Sequence, residues 1–287
     1  LIKACCIVYL HGLDIEVRNP WYRMLWHPFV RRFDYVLLNS HFTRKLAIQI
    51  GISPGRIIIL HPGVKLPEIH KGAEMRDEFR AHHALGDAPV MLYVGRITAR
   101  KGLSYFVEHI LPRVIKVLPS AELVVIGDEP HQAVLQGESE IQRIRQTLEF
   151  SGLKKHVHFL GALAHDAPEI TAAYFSADCH VFPVQHRPGD NEGFGMVAIE
   201  AAAHGLPTVA FAVGGVADAV RDQHSGRLVP AGDLAGFTRH VLEILSATPA
   251  EKHTWRESAR NFAAKFVWEN FGRRLLTICK SHDHQTN

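Results

Sequence analysis

The sequence of 287 residues lacks several features that would assign it to a specialised class of protein. It has only four cysteines, at Cys5, Cys6, Cys179 and Cys279, and no C-x-x-C pair. No apolar run approaches the ~18 residues of a membrane-spanning helix. These absences argue against a disulfide scaffold, a cysteine-bound metal and a transmembrane protein, and they favour a reduced, cytoplasmic protein.

Metal-binding patterns are also scarce, although the chain has 20 histidines. The nearest candidates are His82-His83 and His282-Asp283-His284, and neither has the spacing of a known ligand set. The sequence also lacks Asp-x-Asp, a frequent carrier of divalent ions. We therefore predict no metal site and no cofactor.

The composition is that of a globular chain long enough for two modest domains, with 47% hydrophobic and 21% charged residues. Charge is uneven, because residues 1–60 hold eight Lys or Arg against three acids, whereas the whole chain is only +3. This basic start suggests an anionic partner. No nucleic-acid-binding motif is visible, so we predict a membrane surface and no nucleic acid.

The chain begins at its first predicted strand. The sequence opens at Leu1 inside the apolar run Ile2–Leu10, and its first methionine is Met24. We therefore expect a fragment whose N-terminal part is missing.

Short β-branched runs alternate with helical stretches, which predicts an α/β fold with parallel sheets. The predicted strands are Ile2–Leu10, Tyr35–Asn39, Arg56–Leu60, Val90–Val94, Glu122–Ile126, Val157–Leu160, Cys179–Phe182, Thr208–Ala212 and Arg227–Val229. The predicted helices are Phe42–Ile50, Glu74–His82, Leu103–Leu118, Glu138–Phe150, Pro168–Ser176, Gly195–Ala203, Leu234–Leu245, Glu251–Phe266 and Val267–Lys280. We predict an incomplete first domain over 1–68, a complete second domain over 69–266, and a terminal helix within 267–287 that returns to the first domain.

The segment 190–201 carries the most informative chemistry of the chain. Glu192 precedes the turn Gly193-Phe194-Gly195, and an apolar helix then begins near Met196 and contains Glu200. Glycines let a backbone approach a ligand closely, and a helix N-terminus attracts anions. Eight helical residues rise about 12 Å, so the two carboxylates can reach both ends of a ligand whose middle is a phosphate group. A nucleotide sugar has that shape.

Cationic and polar side chains follow other strands at the same predicted edge. Arg96 comes directly after the strand Val90–Val94, and Lys101 lies five residues further on. A guanidinium fork and a mobile ammonium together can neutralise a diphosphate. His11 closes the first predicted strand at the matching edge of the first domain, where a contact with a sugar is reasonable.

A series of motifs resembles the retaining nucleotide-sugar glycosyltransferases of the GT-B fold, the large family 4. In family order they are His11-Gly12-Leu13-Asp14, Ser40-His41-Phe42-Thr43-Arg44, His61-Pro62-Gly63-Val64, Val94-Gly95-Arg96 with Lys101-Gly102, Val125-Ile126-Gly127-Asp128, His158-Phe159-Leu160-Gly161, Ala177-Asp178, Phe182-Pro183, Glu192-Gly193-Phe194-Gly195 with Glu200-Ala201, His204-Gly205-Leu206-Pro207 and Gly214-Gly215. They cover nearly the whole chain. The resemblance implies two Rossmann-like domains that face a cleft, and transfer of a hexose from a UDP- or GDP-linked donor to a lipid or saccharide acceptor, in bacterial envelope glycan or glycolipid synthesis.

The resemblance also implies roles for individual residues. The implied catalytic residues are Arg96, Lys101, Glu192 and His11. The implied donor-binding residues are Gly95, Gly193, Phe194, Gly195, Met196 and Glu200. Arg96 and Lys101 would hold the donor diphosphate and stabilise the leaving group, Glu192 would contact sugar hydroxyls, and Glu200 would contact the ribose. Such enzymes need no metal, in line with the missing Asp-x-Asp.

Two departures from the family pattern matter. The family usually has Gly-Gly-x-x-Glu, whereas Asp218 occupies the acidic position after Gly214-Gly215. The family's first strands and their Gly-rich loop, which help to form the acceptor and phosphate pockets, are absent. We therefore expect a chain that binds a nucleotide sugar and transfers it poorly or not at all.

Three other interpretations stay open at this point. Gly193-Phe194-Gly195-Met196-Val197-Ala198 also matches the G-x-G-x-x-A fingerprint of nicotinamide-dependent oxidoreductases, although that fingerprint should follow a strand directly. A non-catalytic remnant that binds a nucleotide sugar is a second alternative. A GT-B epimerase or phosphorylase is a third.

The segment from Asn19 to Arg32 mixes aromatic and basic residues, including Arg23 and Arg31. Such a segment can lie on an anionic membrane surface near a lipid acceptor, which predicts a peripheral protein at the inner face of a membrane. The alternative is a helix whose apolar side packs on a first domain that is partly missing here.

Overall fold

The computed structural model describes residues 5–130 and 139–283, without the side chains of 281–283. The predicted α/β fold with parallel sheets is confirmed. The first sheet has three parallel strands in sequence order, β1 (Ile7–Leu10), β2 (Tyr35–Leu38) and β3 (Ile57–Ile59). Each of these strands is shorter than the predicted run, and residues 1–4 lie outside the described residues.

The second sheet has six parallel strands, each at a predicted place. They are β4 (Val90–Val94), β5 (Glu122–Ile126), β6 (Val157–Gly161), β7 (Cys179–Phe182), β8 (Thr208–Phe211) and β9 (Gly226–Val229). Their order across the sheet is β6-β5-β4-β7-β8-β9. The chain thus runs outward from β4 in one direction and returns to place β7 on the other side of β4. In open parallel sheets, ligands bind beyond the carboxyl ends of the strands at such a reversal.

Helices cover both sheets. Those of the first part of the chain are α1 (Leu13–Glu16), α2 (Pro20–Val30), α3 (His41–Gln49) and α4 (Gly72–His82). Those of the second part are α5 (Leu103–His109), α6 (Leu111–Val117), α7 (Glu140–Ser151), α8 (Pro168–Ser176), α9 (Met196–Ala203), α10 (Val216–Ala219), α11 (Leu234–Leu245), α12 (Pro249–Ala263) and α13 (Trp268–Asp283). Short 3-10 turns lie at Pro54–Arg56, Ile69–Lys71, Lys154–His156 and Ala264–Phe266.

The single helix predicted over Leu103–Leu118 is wrong, because α5 ends at His109 and α6 begins at Leu111. Pro112 causes the break. Its ring would clash with the carbonyl of Glu108 in a continuous helix, and it has no N–H to donate, whereas both defects are harmless in the first turn of a new helix.

The central strands of the second sheet are buried on both faces, as is usual in parallel sheets. Along β4, Met91 and Tyr93 belong to one apolar cluster, and Leu92 and Val94 belong to another on the opposite face. The alternation follows from the two-residue period of a strand. A sheet held from both sides is a rigid support for the loops at its carboxyl edge.

The last helix, α13, packs on the first sheet, where Ile278 shares an apolar cluster with Leu37 and Leu60. Arg274 also donates a hydrogen bond to the Ile59 carbonyl at 3.0 Å. The domain limits at residues 68 and 266 stay a prediction. In the described part of the chain, no helix has both the length and the apolar character needed to span a membrane.

The carboxyl ends of the two sheets face each other. A Cβ on Gly193, beyond β7, would collide with the carbonyl oxygen of His11, which follows β1. Nearby, the backbone N–H and side-chain amide of Asn191 donate to the Glu16 carboxylate at 3.1 and 2.8 Å. The loops that carry the predicted site residues therefore meet in one place.

Candidate functional site

The loops after β4 and β7 are in backbone contact at the reversal of strand order. Gly102 has φ +74°, and a Cβ there would collide with the Pro183 carbonyl oxygen. The N–H of Gln185 also donates to the Arg100 carbonyl at 2.8 Å. Only glycine combines this backbone conformation with such a close approach. The contact between the two loops therefore requires a glycine directly after Lys101.

Glu192 binds two cations from the loop after β4. Its Oε2 accepts hydrogen bonds from Lys101 Nζ at 2.6 Å and from Arg100 Nη1 at 2.5 Å. Arg100 Nε lies 3.0 Å from Asp190 Oδ1. The side chains of Glu192, Lys101 and Arg100 are only 13%, 11% and 8% exposed, so these charges interact in a poorly solvated place.

This environment changes the pKa values of the two central groups. Burial lowers the pKa of Lys101, and the charge of Glu192 opposes that effect. Burial alone would raise the pKa of Glu192, but the charges of Lys101 and Arg100 hold it below its usual value of 4.5. Glu192 is therefore ionised at neutral pH. It holds Lys101 and Arg100 close together despite their mutual repulsion.

Arg96 stands apart from this ion cluster. Its side chain is exposed, and among the described residues no carboxylate forms an ion pair with it. Its charge nevertheless reaches Lys101, whose pKa it helps to lower. The carboxyl edge of the second sheet thus presents the Arg96 guanidinium, which is open to an anionic ligand. Beside it lies the Lys101 ammonium, which Glu192 already neutralises.

Glu200 lies on α9, where a buried carboxylate needs a partner. No Arg or Lys forms an ion pair with Glu200 in the described part of the chain. Instead the Tyr174 hydroxyl donates to Glu200 Oε2 at 3.2 Å, and His165 Nε2 lies 4.0 Å from Oε1. Burial raises the pKa of Glu200.

The turn before α9 is built as the sequence suggests. Gly195, with φ +109°, is the N-cap of α9, and Met196 is its first residue. The Phe194 side chain is buried, with its ring 5.6 Å from that of His61. The Phe194 side chain therefore anchors the turn. The groups of this turn that are suited to bind an anion are the backbone N–H groups at the start of α9.

His11 is exposed at the end of β1. Its backbone N–H donates to the Asp14 carboxylate at 2.9 Å, and its carbonyl accepts from Asn39 Nδ2 at 3.1 Å. Its ring packs against Tyr9 with 4.5 Å between centroids. The backbone is thus fixed opposite Gly193, and the imidazole points from a rigid strand end.

Two contacts of this region have no counterpart in the sequence predictions. Arg100 adjoins Lys101 and shares Glu192 with it. Asp218 is predicted only as the shortened acid after Gly214-Gly215, whereas its carboxylate lies 2.5 Å from His41 Nδ1 and 3.1 Å from His61 Nε2. Local spacing gives no signal for a contact between residues so far apart in the chain.

A concavity of about 700 Å³ lies at the opposite edge of the second sheet. Its lining includes Asp178 and Pro207, which immediately precede β7 and β8. The carboxyl edge is a better candidate for a ligand site than this concavity, because it combines the reversal of strand order, the glycine turns and the cations.

Fold and site together define an α/β protein with two facing parallel sheets and a cationic site at a reversal of strand order. A family model described as Glycosyl transferases group 1 matches residues 88–247. The chain belongs to that family.

Curated relatives support this membership. The chain is 31% identical over 248 residues to the D-inositol 3-phosphate glycosyltransferase of Mycolicibacterium gilvum (strain PYR-GCK), over 85% of this chain and 51% of that protein. It is 34% identical over 250 residues to the protein of the same name from Mycobacterium tuberculosis (strain ATCC 25177 / H37Ra), over 85% of this chain and 48% of that one. The chain thus spans about half the length of the curated relatives it matches.

Solved structures share the fold. Anabaena HepE, in complex with UDP and glucose, superposes with a TM-score of 0.79 at 20% identity, over 96% of this chain and 71% of that one. The sucrose-phosphate synthase of Thermosynechococcus elongatus gives a TM-score of 0.74 at 25% identity, over 97% and 68% of the two chains. These likenesses confirm the predicted GT-B architecture.

The Glu192 ion cluster generates a stability prediction. Glu192→Gln leaves Lys101 and Arg100 adjacent without their shared carboxylate, so we expect the free energy of unfolding at pH 7 to fall by about 3 kcal/mol. Because the folded pKa of Glu192 is lowered, its contribution is complete above its usual pKa of 4.5 and is lost as the pH falls through the lower folded value. Urea unfolding of both proteins should therefore give stabilities that converge below that pH.

The matched control for this measurement is Glu108→Gln, which removes the exposed pair of Glu108 with Arg143. It should change the free energy of unfolding by less than about 0.5 kcal/mol. Equal effects of the two substitutions at pH 7 would show that the Glu192 cluster contributes no special stability.

Proposed function

We propose that this chain carries the donor half of a retaining, family 4 glycosyltransferase that uses a UDP- or GDP-linked hexose. The observation that carries the proposal is the arrangement of Lys101, Glu192 and Arg96 at the reversal of strand order, opposite His11. The UDP or UDP-glucose in complexes of Anabaena HepE supports UDP as the first donor to test.

In this proposal the donor diphosphate lies between Arg96 and Lys101. Arg96 pairs with no carboxylate among the described residues, and Lys101 can share its charge between Glu192 and a phosphate oxygen. Backbone N–H groups of the turn from Gly193 to Met196 add donors at the start of α9, and Gly95 lets the diphosphate approach β4. These groups stabilise charge on the departing nucleotide without a divalent ion.

In this proposal Glu192, Glu200 and His11 contact the two ends of the donor. Glu192 orients sugar hydroxyls rather than attacking the anomeric carbon, because two cations already hold one of its oxygens. Glu200 accepts hydrogen bonds from the ribose beside the Tyr174 hydroxyl. His11 contacts the transferred sugar from the facing sheet. A donor phosphate oxygen takes the acceptor proton, which is consistent with retention.

The acceptor is a lipid or saccharide in this proposal, in a bacterial envelope pathway at the inner face of a membrane. The relatives' names add an inositol phosphate as a further acceptor class to assay. We expect residues 1–287 to bind the donor and to transfer sugar slowly or not at all. Rapid transfer by residues 1–287 alone would contradict that expectation.

An NAD-dependent oxidoreductase is disfavoured by one observation. The G-x-G-x-x-A match begins at Gly193, whereas β7 ends at Phe182, so a loop separates the fingerprint from its strand. A remnant that binds a nucleotide sugar without catalysis, or an epimerase or phosphorylase, would keep the same donor site. Product analysis with a labelled nucleotide sugar separates these from a transferase.

Donor binding is tested by calorimetry with UDP. We expect Arg96→Met and Lys101→Met each to weaken UDP binding at least about tenfold, or 1.4 kcal/mol, because each removes a charge from the diphosphate. Arg113→Met is the matched control, since it removes an exposed arginine on α6 away from this edge. It should leave the UDP affinity within about twofold.

Circular dichroism shows whether Lys101→Met, which leaves Glu192 with Arg100 as its remaining cation, still folds. Arg96 is exposed, so its substitution tests the site without that complication. Unchanged UDP affinity in both variants, or equal binding of NAD and UDP by the native chain, would overturn the donor-site proposal.

We also propose that α2 lies on an anionic membrane surface. It presents Trp21, Met24, Leu25 and Phe29 to solvent with 53–71% of each residue exposed, and Asn19 caps it. Basic residues at Arg23 and Arg32 flank these apolar groups. An exposed apolar and basic helix is suited to the headgroup region.

Flotation with phosphatidylserine-containing and phosphatidylcholine-only vesicles tests this surface. We expect flotation with the anionic vesicles only, and its loss in Arg23→Glu/Arg32→Glu. Arg31 is left in place because its Nε donates to the Ile50 carbonyl at 2.6 Å. The control Arg113→Glu/Lys116→Glu makes the same charge change on α6 and should still float. No flotation of the native chain would instead favour a helix that packs on further protein.

A further inference from the structure

Three potential metal ligands converge where the two parts of the chain meet. His41 Nδ1 lies 2.5 Å from Asp218 Oδ1, and His61 Nε2 lies 3.1 Å from the same oxygen. Within the described ranges this is the one set of three His, Cys, Asp or Glu whose ligand atoms all lie within 4.8 Å of one another.

The three side chains come from three different elements. His41 is the first residue of α3, which Ser40 caps, and His61 follows β3 by two residues. Asp218 lies on α10, beyond β8 of the second sheet. Two ligands therefore belong to the first sheet's part of the chain and one belongs to the second, so the sequence shows no ligand spacing.

The ligand set has a recognised chemistry. Two neutral imidazoles and one carboxylate form sites for Zn²⁺ and similar ions, with a remaining position for water or another ligand. A tetrahedral ion at about 2.0–2.1 Å from each ligand atom holds those atoms about 3.3 Å apart. The contact of His61 already has nearly this length, and His41, whose side chain is 69% exposed, can move outward by less than 1 Å to match it.

Neighbouring groups orient these three side chains toward one point. The backbone N–H of His41 donates to Asp218 Oδ2 at 3.0 Å, which turns Oδ1 toward both imidazoles. The ring of His61 packs between Phe194 and Phe266, with centroids 5.6 and 5.4 Å away.

We propose that His41, His61 and Asp218 bind a divalent transition-metal ion of the zinc class, which joins the two parts of the chain beside the donor-site turn. This site is separate from Lys101 and Arg96, and its existence does not depend on the proposed donor.

Co²⁺ and Zn²⁺ titrations of the metal-free chain test the site. We expect one equivalent of Co²⁺ to give the visible absorption of a four-coordinate ion, displaced by one equivalent of Zn²⁺, and Zn²⁺ to raise the melting temperature. His41→Ala and Asp218→Asn should each weaken Zn²⁺ binding at least tenfold. His41 is exposed, so its substitution leaves the fold intact.

The control is His253→Ala, which removes an exposed histidine that lies 3.5 Å from the Glu257 carboxylate on one helix. It should bind Zn²⁺ as the native chain does. Absence of stoichiometric binding would overturn the proposal, as would equal weakening in His253→Ala. If Asp218→Asn lowers the melting temperature while Zn²⁺ shifts it in neither protein, the three groups form only a hydrogen-bonded contact and the metal site is refuted.

Discussion

The contact of Glu192 with Lys101 and Arg100 is the interaction on which the candidate site depends. It connects the loops that follow β4 and β7, the two strands at which the order of the sheet reverses. The two cations would repel each other without the carboxylate, and their loops meet closely because Gly102 has no side chain. The apolar clusters on both faces of the sheet fix the strand ends, and the ion cluster fixes the loops between them.

This arrangement has a consequence for binding. A cationic edge that is assembled before the ligand arrives avoids the cost of bringing like charges together at that moment. Arg96 provides an unpaired charge, while Glu192 limits the repulsion at Lys101. The opposite sheet adds His11 from a strand end whose backbone is fixed by Asp14 and Asn39.

Much of the fold could be predicted from the sequence because the central strands of the second sheet are buried on both faces. Runs such as Val90–Val94 and Glu122–Ile126 are then rich in β-branched and apolar residues, and their predicted limits are those of the structure. The helix over Leu103–Leu118 was wrong because its apolar pattern continues across Pro112, whereas the backbone cannot. Local sterics, rather than hydrophobic period, decided that element.

Side-chain partners were harder to predict than strands. Glu192 and Glu200 were marked by their spacing on one segment, but the partners Arg100 and Tyr174 come from other loops and helices. His41 and Asp218 are 177 positions apart, and only the meeting of the two sheets brings them together. Such contacts depend on the tertiary arrangement, which residue spacing in one sequence does not contain.

Hydrogen–deuterium exchange of the native chain with and without UDP tests whether the ligand binds at the carboxyl edge of the second sheet. We expect slower exchange on UDP binding in residues 94–103 and 192–200, the two segments that form this edge between β4 and β7. Protection confined to the concavity at the opposite edge, around Asp178 and Pro207, would contradict it, as would UDP binding that leaves both predicted segments unchanged.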